Sequence, residues 1–479
     1  MPIKRKATAI VQKFAKQPSS DLDETVSSLV GLGPEAAEPL VKALAHKAYQ
    51  VRVLAAVALG RLRVADAVPD LVLVLSDSSV NAQQAAATAL AQIGERAVEA
   101  LLDALIGRDQ SARRWAAEAL GNIGDESVAQ QLVQRLTDQN VEVQRAAVTA
   151  LGDLKSSRAI QPLLNVLESD NVELARAAAE ALGKIKGSVV VQPLARALAS
   201  PSADVRMAAA RSLQQVGGRA LPAVLEQLQT GDDVVRPVAA EILGNIGDAE
   251  ATAALLEALD DPNERVVRYA AIALGRIGGK RAKAPLTKLL KHPREDVRYA
   301  AVEGLSLLGT KTVEQDLAAR LRDPDWVVRL TAARGLGRSG TGAAVRALTQ
   351  ALKDDEWSVA FHACNSLGEI RDKKAVPGLT RALEHPDARV RRASVAALRR
   401  IGDPRALDSL RASLKDPDER VKEAVAEAVQ ELQAKAKRKP AAKPAAKEPP
   451  PPKAEPKKAA PKKSEAKPAP PKKGKSARK

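Results

Sequence analysis

The sequence predicts an all-α protein, a solenoid of about thirteen 31-residue helix pairs followed by a disordered tail. Three observations carry that expectation. The segment VRVLAAVALGRL at 51–62 echoes as AEALGNIG at 117–124, AEALGKIK at 179–186, AEILGNIG at 240–247 and AAIALGRIG at 270–278, and a fixed period marks a repeat architecture. Apolar residues within each period fall at helical spacing. Residues 434–479 contain no Leu, Ile, Val or aromatic residue and so cannot bury a core.

Taking the Gly of the recurring Ala-Leu-Gly as phase zero, the equivalent positions are Gly60, Ala91, Gly121, Gly152, Gly183, Gln214, Gly244, Gly275, Ser306, Gly337, Gly368, Arg399 and Gln430. Every interval is 30 or 31 residues. Residues 1–20, with five basic and no acidic side chains, read as a basic segment outside the repeats. VSSLVGLG at 26–33 is in phase, with Val30 at zero, and reads as a capping half-unit. The solenoid then spans 21–433 and the Lys/Pro/Ala-rich tail 434–479.

Within a unit the apolar positions are −9, −5, −2, −1 and +2, as in Val297, Ala301, Gly304, Leu305 and Leu308, which is one buried face of a helix, here called B. At −12 stand Ser79, Asp109, Asn140, Asn171, Ser202, Asp232, Asn263, Asp325, Asp387 and Asp418, whose side-chain oxygens can cap free amides and start that helix. At +3 stand Gly94, Gly124, Gly217, Gly247, Gly278, Gly309, Gly340 and Gly402, which end it. A shorter helix A follows, with a proline such as Pro69, Pro222 or Pro377 near its start. Pro237 falls at −7 in a B helix, where it is expected to remove a hydrogen bond and kink the seventh repeat. Alanine pairs at −5 and −4 are expected to let the layers approach closely. One such pair of helices has too little core to fold alone, so stability is collective. Packed at about 8–10 Å per layer, the units make a curved rod on the order of 100–130 Å long. The thirteenth, DERVKEAVAEAVQELQ, is polar on its outer side and reads as the terminal cap.

An Asp-Pro turn leading to Val-Arg, as at Asp323 to Arg329, and the helix ending ALGNIGD at 119–125 resemble HEAT repeats, the short units being similar to the PBS-lyase type. The resemblance covers 21 to about 433 and implies a right-handed α-α superhelix. It leaves function open, because HEAT-like chains include scaffolds, transport receptors, bilin-attaching lyases and a di-iron hydroxylase. It also implies that Arg at −8 (Arg52, Arg113, Arg206, Arg236, Arg298, Arg329, Arg391) and Asp near −14 form a ladder between repeats.

The enzyme alternatives find little support in the residues. The hydroxylase's di-iron site resembles paired His-Glu steps, and no His-Glu dipeptide occurs. His46, His292 and His385 hold phase −14, where other units carry Asp, and His292 and His385 stand roughly 30 Å apart at the packing distance above, far beyond a metal's reach of about 2 Å. His362 stands alone at −6. A bilin lyase would need a grip on a tetrapyrrole, and the chain has two Phe, three Tyr and three Trp. Cys364 sits at −4, a phase held by Ala elsewhere, and reads as a small buried side chain. No cofactor, metal or small-molecule substrate is expected. One cysteine forbids an intramolecular disulfide, and with no apolar leader after MPIKRKATAIVQK and no long apolar run, a cytoplasmic protein without transmembrane insertion is expected.

Charge accounting places the basicity at the ends. Residues 434–479 hold 17 Lys or Arg against three Glu, which leaves 53 basic and 55 acidic residues for the body once 1–20 are also removed. The tail is compositionally similar to linker-histone-like tails, and such a polycation binds DNA, RNA or another polyanion through phosphate neutralisation, with Lys457, Lys458, Lys462, Lys463, Lys472 and Lys473 among its candidates. A solubilising spacer is the alternative role. Basic residues at −7 and +1 (Arg114, Arg145, Arg176, Lys184, Arg268, Arg276, Arg338, Arg392, Arg400) form an interrupted stripe on the B helices. Arg389, Arg391, Arg392, Arg399, Arg400, Arg405 and Arg411 face only Asp403 and Asp408 in their own stretch and are the candidate polyanion patch within the solenoid. Trp326 and Trp357 share phase −11 in adjacent repeats, with Tyr49, Val80, Val141 and Val172 at that phase elsewhere. They read either as rim packing or as a two-indole ledge for a protein partner. The function expected is therefore non-enzymatic. A scaffold or adaptor docks proteins on its concave face, and the tail tethers it to nucleic acid or another polyanion. A lyase-like or hydroxylase-like enzyme, or a scaffold with an incidental spacer tail, are the competing readings.

Overall fold

The computed structural model describes residues 2–17, 21–309 and 313–437. Among them every regular element is helical. Thirteen B helices, from Tyr49–Leu62 to Glu419–Lys437, alternate with shorter A helices such as Val68–Val74. Most A helices are entered through a single 3-10 turn, as at Ala65–Ala67, and Pro69, Pro222 and Pro377 sit in the first turn of theirs. Successive B helices lie much closer together than successive A helices, so the B helices form the inner, concave wall.

The boundary signals act as expected in most units. Asp109, Asn140, Asn171, Asn263, Asp325 and Asp387 start their helices by accepting amide hydrogen bonds, and Asp418 accepts from Val421 N. Ser79 and Ser202 hold the capping position without a side-chain bond. The +3 glycines all have positive φ. In the four of the first twelve repeats where +3 is not glycine, Arg63, Lys155, Lys186 and Arg371 adopt the same left-handed conformation, so the turn geometry is imposed by the stack.

Two expectations need correction. Residues 2–17 do not lie outside the stack: Pro2–Lys16 is a helix whose Ala7, Val11 and Phe14 are buried, an i, i+4, i+7 stripe that packs on the cap and the first repeat. Pro237 does not kink its helix. That helix starts late, at Val235, so the proline falls in the first turn, where a missing N–H has no partner to lose, and Asp232 caps Val234 and Val235 instead.

Close packing has a second component beside the Ala pairs of −5 and −4, one of which contributes Ala271, whose carbonyl oxygen would stand 2.5 Å from a Cβ added to Gly304. Phase zero of one B helix presses on phase −2 of the next. A Cβ added to Gly60 would stand 2.6 Å from Ala89 Cα, one on Gly121 2.7 Å from Ala150 Cα, and one on Gly152 2.7 Å from Ala181 Cα. The same seam runs through Gly183 and Ser212, Gly244 and Ala273, Gly275 and Gly304, and Gly368 and Ala397. Where phase zero is Ser306, the facing −2 residue is Gly335, so the small residue has changed sides. At one joint neither partner is small: Gln214 is at zero and Ile242 at −2, and there the B helices Ala203–Val216 and Val235–Ile246 pack least extensively among neighbouring full repeats.

Candidate binding surface

The arginines at −8 point into the edge where turns stack, and most are held twice. One guanidinium nitrogen, Nη1, donates to the carbonyls of its own turn: Arg298 to His292 and Pro293 at 3.0 and 2.8 Å, Arg391 to His385 and Pro386 at 2.9 Å each. The other two nitrogens fork onto the aspartate 25 residues ahead in the next repeat. Arg113 reaches Asp138, Arg236 Asp261, Arg298 Asp323, Arg329 Asp354 and Arg391 Asp416, all at 2.7–3.1 Å. Arg52 meets Asp77 through Nη2. These pairs are largely buried, Asp323 completely. The hydrogen bond from Arg391 is the main cause that holds the Asp416 carboxyl below its usual range. For Asp138 burial acts upward, but Arg113 and the Asn140 amide together outweigh it and the net shift is downward.

The same aspartates serve their own turns, Asp77 accepting from Ser79 N at 2.8 Å and Asp138 from Asn140 N at 2.9 Å. The three histidines at −14 do that job with Nδ1: His46 accepts from Ala48 N, His292 from Arg294 N and His385 from Asp387 N, at 3.0–3.3 Å. They are turn residues. His362, half-buried, is pushed below its usual value first by burial and then by Arg334, and lies edge-on to Phe361. Burial pushes the Cys364 thiol up to about 12, so it stays protonated and inert.

The concave stripe is threaded by ion pairs. Arg145 pairs with Glu142, Arg176 with Glu180, Lys184 with Asp153 and Arg268 with Asp296, and Arg276 donates to Asn245. Burial raises the Glu118 carboxyl above its usual value against the pull of Arg114 and Arg145.

The C-terminal arginine cluster divides. Arg391 belongs to the buried ladder and offers no free surface to a phosphate, which corrects its inclusion in the patch. Arg389 pairs with Asp387, Arg399 with Glu427 and Glu431, Arg405 with Asp403 and Arg411 with Asp408. Folding thus brings Asp387, Asp416, Glu427 and Glu431 to the cluster, none of them inside the sequence window that suggested an excess. Arg392 and Arg400 are exposed and make no ion pair among the described residues. Lys457, Lys458, Lys462, Lys463, Lys472 and Lys473 lie outside the described residues.

Phase −11 is not buried rim packing. Tyr49 is 40% exposed, Val80 59%, Val141 40%, Val172 45% and Trp326 45%. These side chains stand at the starts of their B helices, four of them in the first five repeats with Gln110 between, and Trp326 in the tenth beyond Ala203, Asp233, Glu264 and Glu295. Trp357 differs from Trp326: it packs edge-on against Phe361, and the Arg389 guanidinium carbon lies 3.3 Å above its ring centroid, so the two indoles are not an evenly bare ledge. Trp115 is buried and donates Nε1 to Gln83 of the preceding repeat. Sequence reasoning missed the −2 half of the seam, and the signal available was its confinement to Ala, Ser and Gly opposite every glycine at zero.

With two-helix units, an inter-repeat Arg-Asp ladder and a continuous stack in place, the family model for HEAT repeats matches six overlapping segments from 37–121 to 345–430. The chain belongs to the HEAT-repeat family. No curated protein matches it in sequence. Among solved structures it is similar to Kap121p bound to Pho4p, at 14% identity and a TM-score of 0.62, covering 91% of this chain and 57% of that one. It is similar also to Kap95p, described with RanGDP, at 15% identity and TM-score 0.60, covering 90% and 66%. Importin beta matches at 17% identity and TM-score 0.54, covering 89% and 67%. The chain thus spans between about half and two thirds of these proteins, and at such identities the likeness concerns the fold. No helix among the described residues is long and apolar enough to cross a membrane.

Proposed function

We propose that this HEAT solenoid is a non-enzymatic scaffold or adaptor that docks protein partners on the concave wall, with the tail as a separate tether to nucleic acid or another polyanion. The observation that carries the docking reading is the exposed apolar side chains at phase −11, Tyr49, Val80, Val141 and Val172 in the first five repeats and Trp326 in the tenth, which share one helix position, unlike the other exposed large apolar side chains among the described residues. Kap121p, similar in fold, is described bound to Ste12p and to Ulp1p, which supports a protein as the partner class. The tether reading rests on composition: 434–479 hold 17 cations against three Glu, whereas 21–433 hold 53 basic and 55 acidic residues.

Two experiments test the two halves. Photo-crosslinking residues placed at Val80, Val172 and Trp326 are expected to trap one common partner, which the same probe at Leu73, exposed on an A helix, does not trap; equal capture at all four positions contradicts the docking reading. Duplex DNA binding by the full chain is expected to fall steeply between about 50 and 200 mM salt and to vanish on removal of 434–479. Binding retained by the truncated chain moves the polyanion site to Arg392, Arg400 and their neighbours.

A further inference from the structure

The turn carbonyls of the repeats share a recurrent partner. In seven units the arginine at −8 donates to one or both carbonyls at −14 and −13; Arg52 and Arg113, for example, bridge both. In two more, glutamine does part of the work: Gln83 Nε2 donates to Asp77 O and Gln144 Nε2 to Asp138 O. The eighth and eleventh repeats carry buried Val267 and Ala360 there, and the residue 25 places ahead is then His292 or His385 in place of aspartate. In the fifth repeat the position is Ala175. Its turn carbonyls, Ser169 O and Asp170 O, accept no hydrogen bond among the described residues. The residue 25 places on is Ser200, which accepts from Ser202 N and is too short to reach back. The space between is open. A cavity of about 640 Å³ is bounded by Ser169, Asp170 and Ala175 on one side and by Ser200 and Arg196 on the other.

We propose that this cavity is a binding site for the arginine side chain of a partner protein. The shape required is the one the repeat already uses, a planar guanidinium whose nitrogen bridges two successive carbonyls and whose edge faces the next turn. Glu168 and Asp170 in the wall favour a cation, against the single opposing charge of Arg196. A lysine ammonium is a poorer occupant, because its three donors diverge from one point and cannot span the carbonyl pair in a plane. The cavity adjoins Val172 of the exposed row, so a segment docked there places an arginine beside its apolar contact. The inference rests on the docking reading for the identity of the occupant as a protein, but a small probe reads the socket whether or not any protein docks on the row.

The test is saturation-transfer NMR on the full chain with Nα-acetyl-arginine amide and Nα-acetyl-lysine amide. The arginine probe is expected to bind, with at least about tenfold preference over lysine. Ala175→Arg supplies the side chain carried by seven other repeats, and is expected to abolish the signal while the thermal midpoint stays equal or rises. Ala175→Gln, which copies Gln83 and Gln144, is expected to weaken it and serves if the arginine variant fails to fold. No binding of the arginine probe, equal binding of both probes, or binding undiminished in a folded Ala175 variant overturns the proposal.

Discussion

The joint between the seventh and eighth repeats and the joint between the sixth and seventh arise from the same 31-residue unit, yet they differ in every tie. At the former, Gly244 lies against Ala273, and Arg236 forks onto Asp261 at 3.0 and 3.1 Å. At the latter, the two seam phases hold Gln214 and Ile242, Arg206 donates only to the carbonyls of its own turn, Ser200 and Pro201, and the position for its aspartate is Gly231. The helix beyond also begins late. A stack of similar units is therefore not uniform in cohesion: the apolar face makes the fold, while a few small and charged phases set how firmly each unit holds the next.

That contrast can be broken from its tight side. Asp323→Asn removes the charge facing Arg298 in the most enclosed ladder pair and is expected to cost about 3 kcal/mol, read as a lowered urea midpoint. Gly244→Leu pushes a side chain into Ala273, whose Cα would lie 2.7 Å from the added Cβ, and is expected to cost about 1–3 kcal/mol in the same measurement. Acid addresses the ladder. Asp138 and Asp416 have folded-state values below the unfolded carboxylate value of about 3.9, so their contribution is fully present above that pH and is lost as pH falls through the folded values. Hydrogen exchange from about pH 5 down to about pH 2.5, corrected for intrinsic rates, should show protection falling beside Arg113 and Arg391 and little added change at Gln214. The smallest effect is expected at the loose joint itself, where Gln214→Ala should shift stability by less than about 0.5 kcal/mol.

Much of this was legible in the sequence. Caps at −12 and terminators at +3 are local chemistry, so single residues such as Asn140 and Gly124 located helix ends. The arginine ladder was implied by the resemblance to HEAT repeats, whose two halves occur here in phase, Arg at −8 and Asp near −14. What failed to show was whatever depends on a neighbour distant in sequence. Arg391 looked like a surface cation until Asp416 closed over it, and Arg399 until Glu427 and Glu431 did. Gly at zero served as a phase marker, and its steric role appeared only against the residue 29 positions ahead. Pro237 looked disruptive because a helix start was assumed at Asp232, whereas the chain had moved that start to suit the proline.

The unequal joints are tested most directly by electron-electron distance measurements on doubly spin-labelled chains in which buried Cys364 is replaced by alanine. Labels at Lys184 and Asn245 span the sixth repeat with its loose joint, and labels at Asn245 and Leu307 span the same number of joints, both of them closed by the small-residue seam. The account predicts a broader distance distribution for the first pair, narrowed when Gln214→Gly and Ile242→Ala rebuild the small-residue seam. Equal widths for the two pairs, or a width unmoved by that rebuilding, would contradict it.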